Sequence, residues 1–547
     1  MINNDTYVIG IDYGTLSARA MVARTSDGLV LSSCAQPYAH GVLTTALPDG
    51  TPLPQDFALA VPADYLAVLK VTVQAAIHEA GIPMECIVGI GVDATSCTVV
   101  PTDDTGTALA ELPEFSGEPH AYIKMWKHHA AQPQADRLER LAVAEDAAFL
   151  KRCGNHISCE WMIPKIMEVR EHAPQVYAKA HRFSDLCDWL TWRLTGELVR
   201  STGAAGFKCH WSDDMGYPPP EFYNRLLPGF GGELMQKLAG RVRQIGSRAG
   251  YLSDEAAQWL GLPAGIAVAV GSLDGHSSVA ALGILEPGDA ALVVGTSNVM
   301  TFLSEELQEI DGICGVAYGG LTPGHFGYDT GQNCTGDMLD WFVKNCVPAY
   351  YTATARQRGI TVHELLCEKA IHRKPEKNHL TVLDWWNGNR NIIGDMSLTG
   401  LIWGFTLHTA PEDIYCAMLQ AIACGTKKIV DHCGDYGIPF RSIAACGGIP
   451  NKNPLLMQQY ANILGMPVRV AAFQNTPALG ACIYAAAAAG AACGGYDTLE
   501  DAVRAMKVRE FHTYEPQTEY HDNYQRIYHR FCLLHDAAKG LHEETSE

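Results

Sequence analysis

Apolar residues in this chain fall into short blocks, and two of these blocks come as pairs divided by a tight polar turn. The first pair is Tyr7-Val8-Ile9-Gly10-Ile11-Asp12 and Ala18-Arg19-Ala20-Met21-Val22, with Tyr13-Gly14-Thr15-Leu16-Ser17 between them. That pattern predicts a strand, a turn and a returning strand. The turn would expose backbone N–H groups and the hydroxyls of Thr15 and Ser17 beside the carboxylate of Asp12. Such a group can grip a phosphate while the carboxylate holds a divalent cation. The pattern recurs once, where Ala291-Leu-Val-Val294 and Val299-Met-Thr-Phe302 flank Gly295-Thr296-Ser297-Asn298. Two such hairpins suggest a duplicated fold that clamps one nucleotide between its halves.

The stretches around the hairpins alternate between helix and strand. Residues Pro62 to Ala80 read as a helix stopped by Gly81-Ile-Pro83, and Ile87-Val-Gly-Ile-Gly-Val92 as a buried strand. This alternation predicts a largely α/β fold with covered sheets. Between Glu111 and Pro220 the text turns helix-like and rich in Trp, His and Lys, as expected of a substrate-facing elaboration. A hinge is expected at about 265 to 290, after Gly261-Leu-Pro-Ala-Gly-Ile266. Further strands are expected at Ala267–Gly271, Ile443–Gly448 and Pro467–Ala471. The expected division is therefore residues 1–280, residues 281–500 and a polar helical tail over 501–547.

At 547 residues the chain exceeds what one core usually supports. With 47% apolar and 18% charged residues it reads as globular with sizeable cores. A net charge of −20 argues against nucleic-acid or anionic-membrane partners, so an anionic substrate must be held by local N–H groups, a metal or single basic residues. The eighteen cysteines include no Cys-x-x-Cys and read as buried free thiols of a cytoplasmic protein. Residues Met1 to Thr6 show no leader pattern. The longest apolar stretch, Ala478 to Gly490, is too short to cross a bilayer and reads as a packed helix.

Four further segments add to the hairpins: Gly271-Ser-Leu-Asp274-Gly-His276, Gly91-Val-Asp-Ala-Thr-Ser-Cys-Thr98, Leu383-Asp-Trp-Trp-Asn-Gly-Asn-Arg390 and Ala445-Cys-Gly-Gly-Ile-Pro-Asn-Lys-Asn453. With them, and with Tyr328-Asp-Thr-Gly-Gln332, the chain resembles the FGGY family of carbohydrate kinases over nearly its whole length, and within it the kinases of L-ribulose. The family's second signature is recognisable from Gly400-Leu-Ile-Trp-Gly404 to Gln420, departing at Phe405, and the first, around Pro164-Lys165, is imperfect. The resemblance implies two α/β domains of the actin/hexokinase/Hsp70 (ribonuclease H-like) type with the active site in the cleft between them. It also implies transfer of the γ-phosphoryl group of Mg-ATP to the terminal C5 hydroxyl of L-ribulose in arabinose catabolism, a cytoplasmic location and a possible homodimer.

Residue roles follow from the motifs and from the resemblance together. Asp12 would orient hydrated Mg²⁺, with Gly14, Thr15 and Ser17 and the second turn's Gly295 and Thr296 holding phosphates. Asp274, straight after a strand, would take the proton of the attacking hydroxyl and help place the metal; the plain alternative is a helix cap. Gly447, Gly448, Asn451 and Asn453 suit adenine lying on bare backbone, and Gly336 a close approach to the nucleotide. The resemblance points to Thr95, Ser96, Lys208, Asp274 and Asp329 for the sugar. Asp329 departs from the longer glutamate expected in a kinase of L-ribulose, and Lys208 could equally lie on the surface. Trp126, Trp385 and Trp386 read first as packing, and His128-His129 as a solvated pair on a helix. Gly89-Ile-Gly91-Val-Asp-Ala94 has the shape of a dinucleotide fingerprint, but it lies inside the kinase-like segment. Other classes stay open: a kinase of D-ribulose, xylulose or a pentitol, or a non-catalytic nucleotide- or sugar-binding relative.

Overall fold

The computed structural model describes residues 5–371 and 379–545, with side chains to 541, so residues Met1 to Asn4, part of the stretch inspected for a leader, lie outside the described residues. Two large sheets organise the chain, and they repeat one strand order. In the first, the antiparallel meander Val30–Pro37, Ser17–Arg24, Tyr7–Tyr13 continues into the parallel strands Ile87–Ala94 and Ala267–Ala269, with Arg248–Tyr251 antiparallel at the edge. In the second, the meander Phe326–Gln332, Asn298–Ser304, Asp289–Val294 continues into the parallel strands Ser442–Cys446 and Val468–Ala471, with Phe511–Tyr514 antiparallel at the edge. One extra strand, Gly315–Tyr318, extends the second meander. The duplication suggested by the two hairpins is thus a duplication of sheet topology.

The halves are tied together by two helices. Thr476–Ala489, late in the chain, packs across the strands of the first sheet, and Asp274–Leu282 packs against it. The contact is close because the strands and the helix itself carry glycine at the crossing points. A Cβ on Gly10, Gly89 or Gly91 would overlap the carbonyl oxygens of Ala478, Ala485 and Ala481, and one on Gly480 would overlap that of Ser277. The fingerprint-like glycines are therefore packing glycines, not a phosphate loop. Alanine fills the rest of the helix for the same reason: a small side chain lets the backbones approach.

Two expectations need amending. The region between Glu111 and Pro220 is helical in part, but it also contributes to a four-stranded sheet of Leu59–Ala60, Ile123–Lys124, Val99–Thr102 and Arg182–Asp185. Strands of two to four residues are too short to leave a periodic signal. The segment after residue 500 likewise holds a strand, Phe511–Tyr514, before the helix His521–Thr545, which buries Tyr524, Ile527 and Phe531 in the second core. All eighteen cysteines are free, most of them buried. No helix among the described residues is long and apolar enough to cross a membrane.

Candidate active site

The first hairpin closes as its sequence predicts, with the Gly14 N–H donating to the Ser17 carbonyl at 3.0 Å. Strand register then decides what surrounds Asp12. It faces Arg19 across the hairpin and Asp93 on the parallel strand, while Ser272 pairs beyond Asp93. The chain turns there into the helix Asp274–Leu282, so Asp274 arrives at the same sheet end. Its Oδ1 accepts from the N–H of the adjacent Gly275 at 2.7 Å, and it makes no N-cap to the next turn.

Three carboxyls close together and out of water hold their protons more tightly. Burial, then the charge of Asp12, pushes Asp274 up to about 7. Burial and Asp12 push Asp93 well above the usual carboxylate range, and both its oxygens are buried without a donor. Burial also raises Asp12, offset in part by Asp93 and Arg19. Orphaned carboxylate oxygens suit a hard divalent cation. Among the described residues, however, the only trio of ligand atoms within 4.8 Å of one another is His120, Glu168 and His172. Asp12, Asp93 and Asp274 do not form such a trio.

Lys208 is a buried lysine rather than a surface one, with Nζ 2.6 Å from Asp329 Oδ2 and His276 Nε2 at 3.5 Å from the same oxygen. Despite burial, Lys208, His276 and Arg390 hold Asp329 far below the usual carboxylate range, and Asp329 in turn raises Lys208. Thr95 and Ser96 lie in a turn where Cys97 adopts φ 56° and feels the charge of Lys208. The Thr95 hydroxyl meets that of Thr98 at 2.9 Å, and Ser96 Oγ meets Cys97 Sγ at 3.3 Å. The turn is held from below by Lys165, whose Nζ donates to the carbonyls of Cys97 and Met125 at 2.7 Å each. Trp126, next along from Met125, donates from Nε1 to Thr15 Oγ1 at 3.2 Å and so ties this region to the first hairpin.

On the opposite half, the Gly295 N–H donates to the Ser297 carbonyl at 2.8 Å, and Thr335 donates from both N and Oγ1 to this turn. The helix Gly336–Asn345 begins against the turn, the Gly336 N–H donating to the Gly295 carbonyl at 3.1 Å and the Asp337 N–H to that of Thr296 at 3.3 Å. A Cβ on Gly336 would come within 2.7 Å of the Gly295 carbonyl oxygen, and one on Gly447, at φ 107°, within 2.5 Å of that of Val294. Gly448 has open space above it. Asn453 caps the helix Pro454–Leu464, its Oδ1 accepting from Leu456 N–H at 3.0 Å, while Asn451 donates to the Ala471 carbonyl at 3.0 Å.

The structure corrects one reading and adds two residues. His128 is not a solvated helical residue: the segment is a turn, and the ring is buried with Nε2 2.9 Å from Glu168, which also pairs with Lys124 at 3.1 Å. Lys124 Nζ also lies 3.1 Å from His120 Nδ1, so two members of the trio His120, Glu168 and His172 already face an ammonium. Trp385 is core, and Trp386 packs on Trp341. Asp93 was missed, although Ile90-Gly91-Val92-Asp93 echoes Ile9-Gly10-Ile11-Asp12. Arg390, which acts on Asp329 from a loop 61 positions away, has no local signal.

Residues 7–283 match the N-terminal domain of the FGGY family of carbohydrate kinases, and residues 290–489 its C-terminal domain. The chain belongs to the FGGY family. As a member it is an ATP-dependent sugar phosphotransferase. Its curated relatives include the ribulokinases of Shouchella clausii, 43% identical over 97% of this chain and 95% of the relative, and of Halalkalibacterium halodurans, 42% identical over 97% and 94%. A xylulose kinase from Rhodospirillum rubrum has the same FGGY fold, with TM-score 0.77 at 22% identity over 98% of this chain and 99% of the other.

Proposed function

We propose that this kinase phosphorylates the C5 hydroxyl of L-ribulose in arabinose catabolism in the cytoplasm, using Mg-ATP. The observation that carries the mechanism is Asp274: a carboxyl at the sheet end beside Asp12 and Asp93, raised to about 7 by burial and Asp12, with Asp329 adding to the rise. A carboxylate poised near neutrality can accept the proton of a sugar hydroxyl as the phosphoryl group is transferred. Thr15 and Ser17 with Gly14, and Thr296 with Gly295, hold phosphates in the two turns. Gly336, Gly447, Gly448, Asn451 and Asn453 receive the nucleoside. Thr95, Ser96, Lys208 and Asp329 orient the sugar. Mg²⁺, placed by Asp12 and Asp274, would neutralise phosphate charge. The first two units, 1–280 and 281–500, would close over both substrates and exclude water.

The names of the curated relatives support L-ribulose. Asp329 favours a second reading, another pentulose or a pentitol, because a shorter carboxylate tied to Lys208 reads a differently placed hydroxyl. A coupled ADP-release assay with Mg-ATP against L-ribulose, D-ribulose, L- and D-xylulose, ribitol, arabitol and glycerol decides between them. The highest kcat/KM for L-ribulose supports the first reading, and another winner the second. Sugar binding without ADP release would leave a non-catalytic relative.

A further inference from the structure

The ring of Trp126 packs on the core that holds Trp161, Met162 and Ile163, but its one polar atom serves the first hairpin, across 111 positions of sequence. The turn that carries it is clamped on both sides. Lys124 and His128, two residues before and two after, are buried and reach the same carboxylate, with Lys124 Nζ 3.1 Å and His128 Nε2 2.9 Å from Glu168. Between them the His128 N–H donates to the Met125 carbonyl at 3.0 Å, and the Met125 N–H to that of Ala58 at 3.0 Å. The Ala58 N–H closes the ring of contacts on His128 Nδ1 at 3.3 Å. Burying these charges costs desolvation, and what the cluster fixes is the turn bearing Trp126.

The hairpin turn that receives the bond is held just as firmly along its backbone. The Gly14 N–H donates to the Ser17 carbonyl at 3.0 Å, the Gly14 carbonyl accepts from the Tyr38 hydroxyl at 2.9 Å, and the Leu16 carbonyl accepts from the Tyr38 N–H at 3.1 Å. What remains free is the rotation of the half-buried Thr15 side chain and its hydroxyl. That hydroxyl has one proton and two lone pairs, and an indole N–H can only donate, so the 3.2 Å contact places Trp126 on a lone pair of Thr15 Oγ1. The Thr15 proton is thereby turned away from the ring, and among the described residues Thr15 Oγ1 makes no other hydrogen bond.

We propose that Trp126 is a positioning residue that holds the Thr15 hydroxyl with its proton directed at a phosphate oxygen of ATP. An untethered threonine hydroxyl spreads over several staggered positions. A donor already oriented before the nucleotide arrives spares that ordering cost and stands ready for the charge that moves in transfer. The inference rests on the phosphate role of Thr15 given above and deepens it.

The test compares the full chain as wild type, Trp126→Phe, Thr15→Val and the double variant, with Mg-ATP and the sugar ranked first by ADP release. Trp126→Phe keeps an aromatic ring and removes the donor. Its kcat/KM for Mg-ATP should fall about 3- to 10-fold with KM for the sugar within about twofold of wild type, and Thr15→Val should lose about 10- to 100-fold. Added to Thr15→Val, the change at Trp126 should cost no more than about twofold further, because the hydroxyl it orients is gone. Losses that multiply, a Trp126→Phe enzyme equal to wild type, or a loss confined to KM for the sugar overturns the proposal. If Trp126→Phe does not fold, benzothienylalanine at position 126, with sulfur in place of the indole N–H, carries the same comparison, and wild-type kinetics there overturns it. Thr15→Val with unchanged kcat/KM for Mg-ATP fails the phosphate role of this turn and the proposal with it, whereas a loss in Thr15→Val alone leaves that role standing without Trp126.

Discussion

Asp274 is a half-buried carboxyl and Asp329 a buried one, and their surroundings send them in opposite directions. Asp274 has only carboxylates as strong neighbours and is raised to about 7, whereas Lys208, His276 and Arg390 keep Asp329 ionised. One is suited to exchanging a proton and the other to holding a fixed charge. Asp274→Asn keeps the shape and removes the base, so kcat should fall by about 10² or more while nucleotide affinity, measured by calorimetry, survives. Near-normal turnover would remove Asp274 from its role. Because a base must be deprotonated to act, the wild-type kcat/KM for sugar should decline below about pH 7, and a profile flat down to pH 5 would contradict the assignment. Asp12 and both turns were legible because their chemistry is local to a hairpin. The Lys208–Asp329 pair was legible only through family resemblance, since its members lie 121 positions apart and nothing in either neighbourhood signals the other. His128 misled for a related reason: a helix was assumed where the chain turns, which hid Glu168.

At the scale of elements, the helix Met162–His172 explains why the imperfect first signature still matters. Lys165 and Glu168, three residues apart, share a helix face, both fully buried. Lys165 anchors the turn containing Thr95 and Ser96, and burial lowers it to about 8. Lys165→Met should strand the Cys97 and Met125 carbonyls, cost about 1–3 kcal/mol of stability in urea titration, and raise KM for sugar without moving KM for ATP. Glu168 is held well below its usual range despite burial, through Lys124 and His128, while the two histidines stay neutral with values near 3. A depressed carboxylate contributes stability above its unfolded pKa, about 4.3, and that contribution is lost as pH falls further. Glu168→Gln leaves the Lys124 ammonium buried without its counter-charge, and about 3–5 kcal/mol should be lost at neutral pH. An unfolding midpoint equal to wild type would show the network to be dispensable. The crossing of the alanine-rich helix over Gly91 makes a separate point. Gly91→Ala should destabilise by about 1–3 kcal/mol through overpacking, though alanine is harmless at most strand positions.

Across the whole molecule, the repeated strand order places one glycine-threonine hairpin turn in each half, and the helices Asp274–Leu282 and Thr476–Ala489 join the halves at the junction. Ser278 Oγ and Thr476 Oγ1 meet there at 3.1 Å. Two sheets that share a helix pair can rotate about it while each core stays intact, which is the motion a cleft enzyme needs to exclude water. The α/β class and the duplication were readable from hairpins and alternation, because those patterns repeat over many residues. The four-stranded sheet of the elaboration and the strand Phe511–Tyr514 were not, because two to four residues carry no period. The central claim, sugar phosphorylation by Asp274 in this cleft, is tested most directly by following Mg-ATP and L-ribulose together by ³¹P NMR with wild-type and Asp274→Asn protein. The account predicts ADP and a pentulose 5-phosphate in equal amounts from the wild type and a rate at least about 100-fold lower from the variant. ADP release that is independent of sugar, or equal product from both proteins, would contradict it.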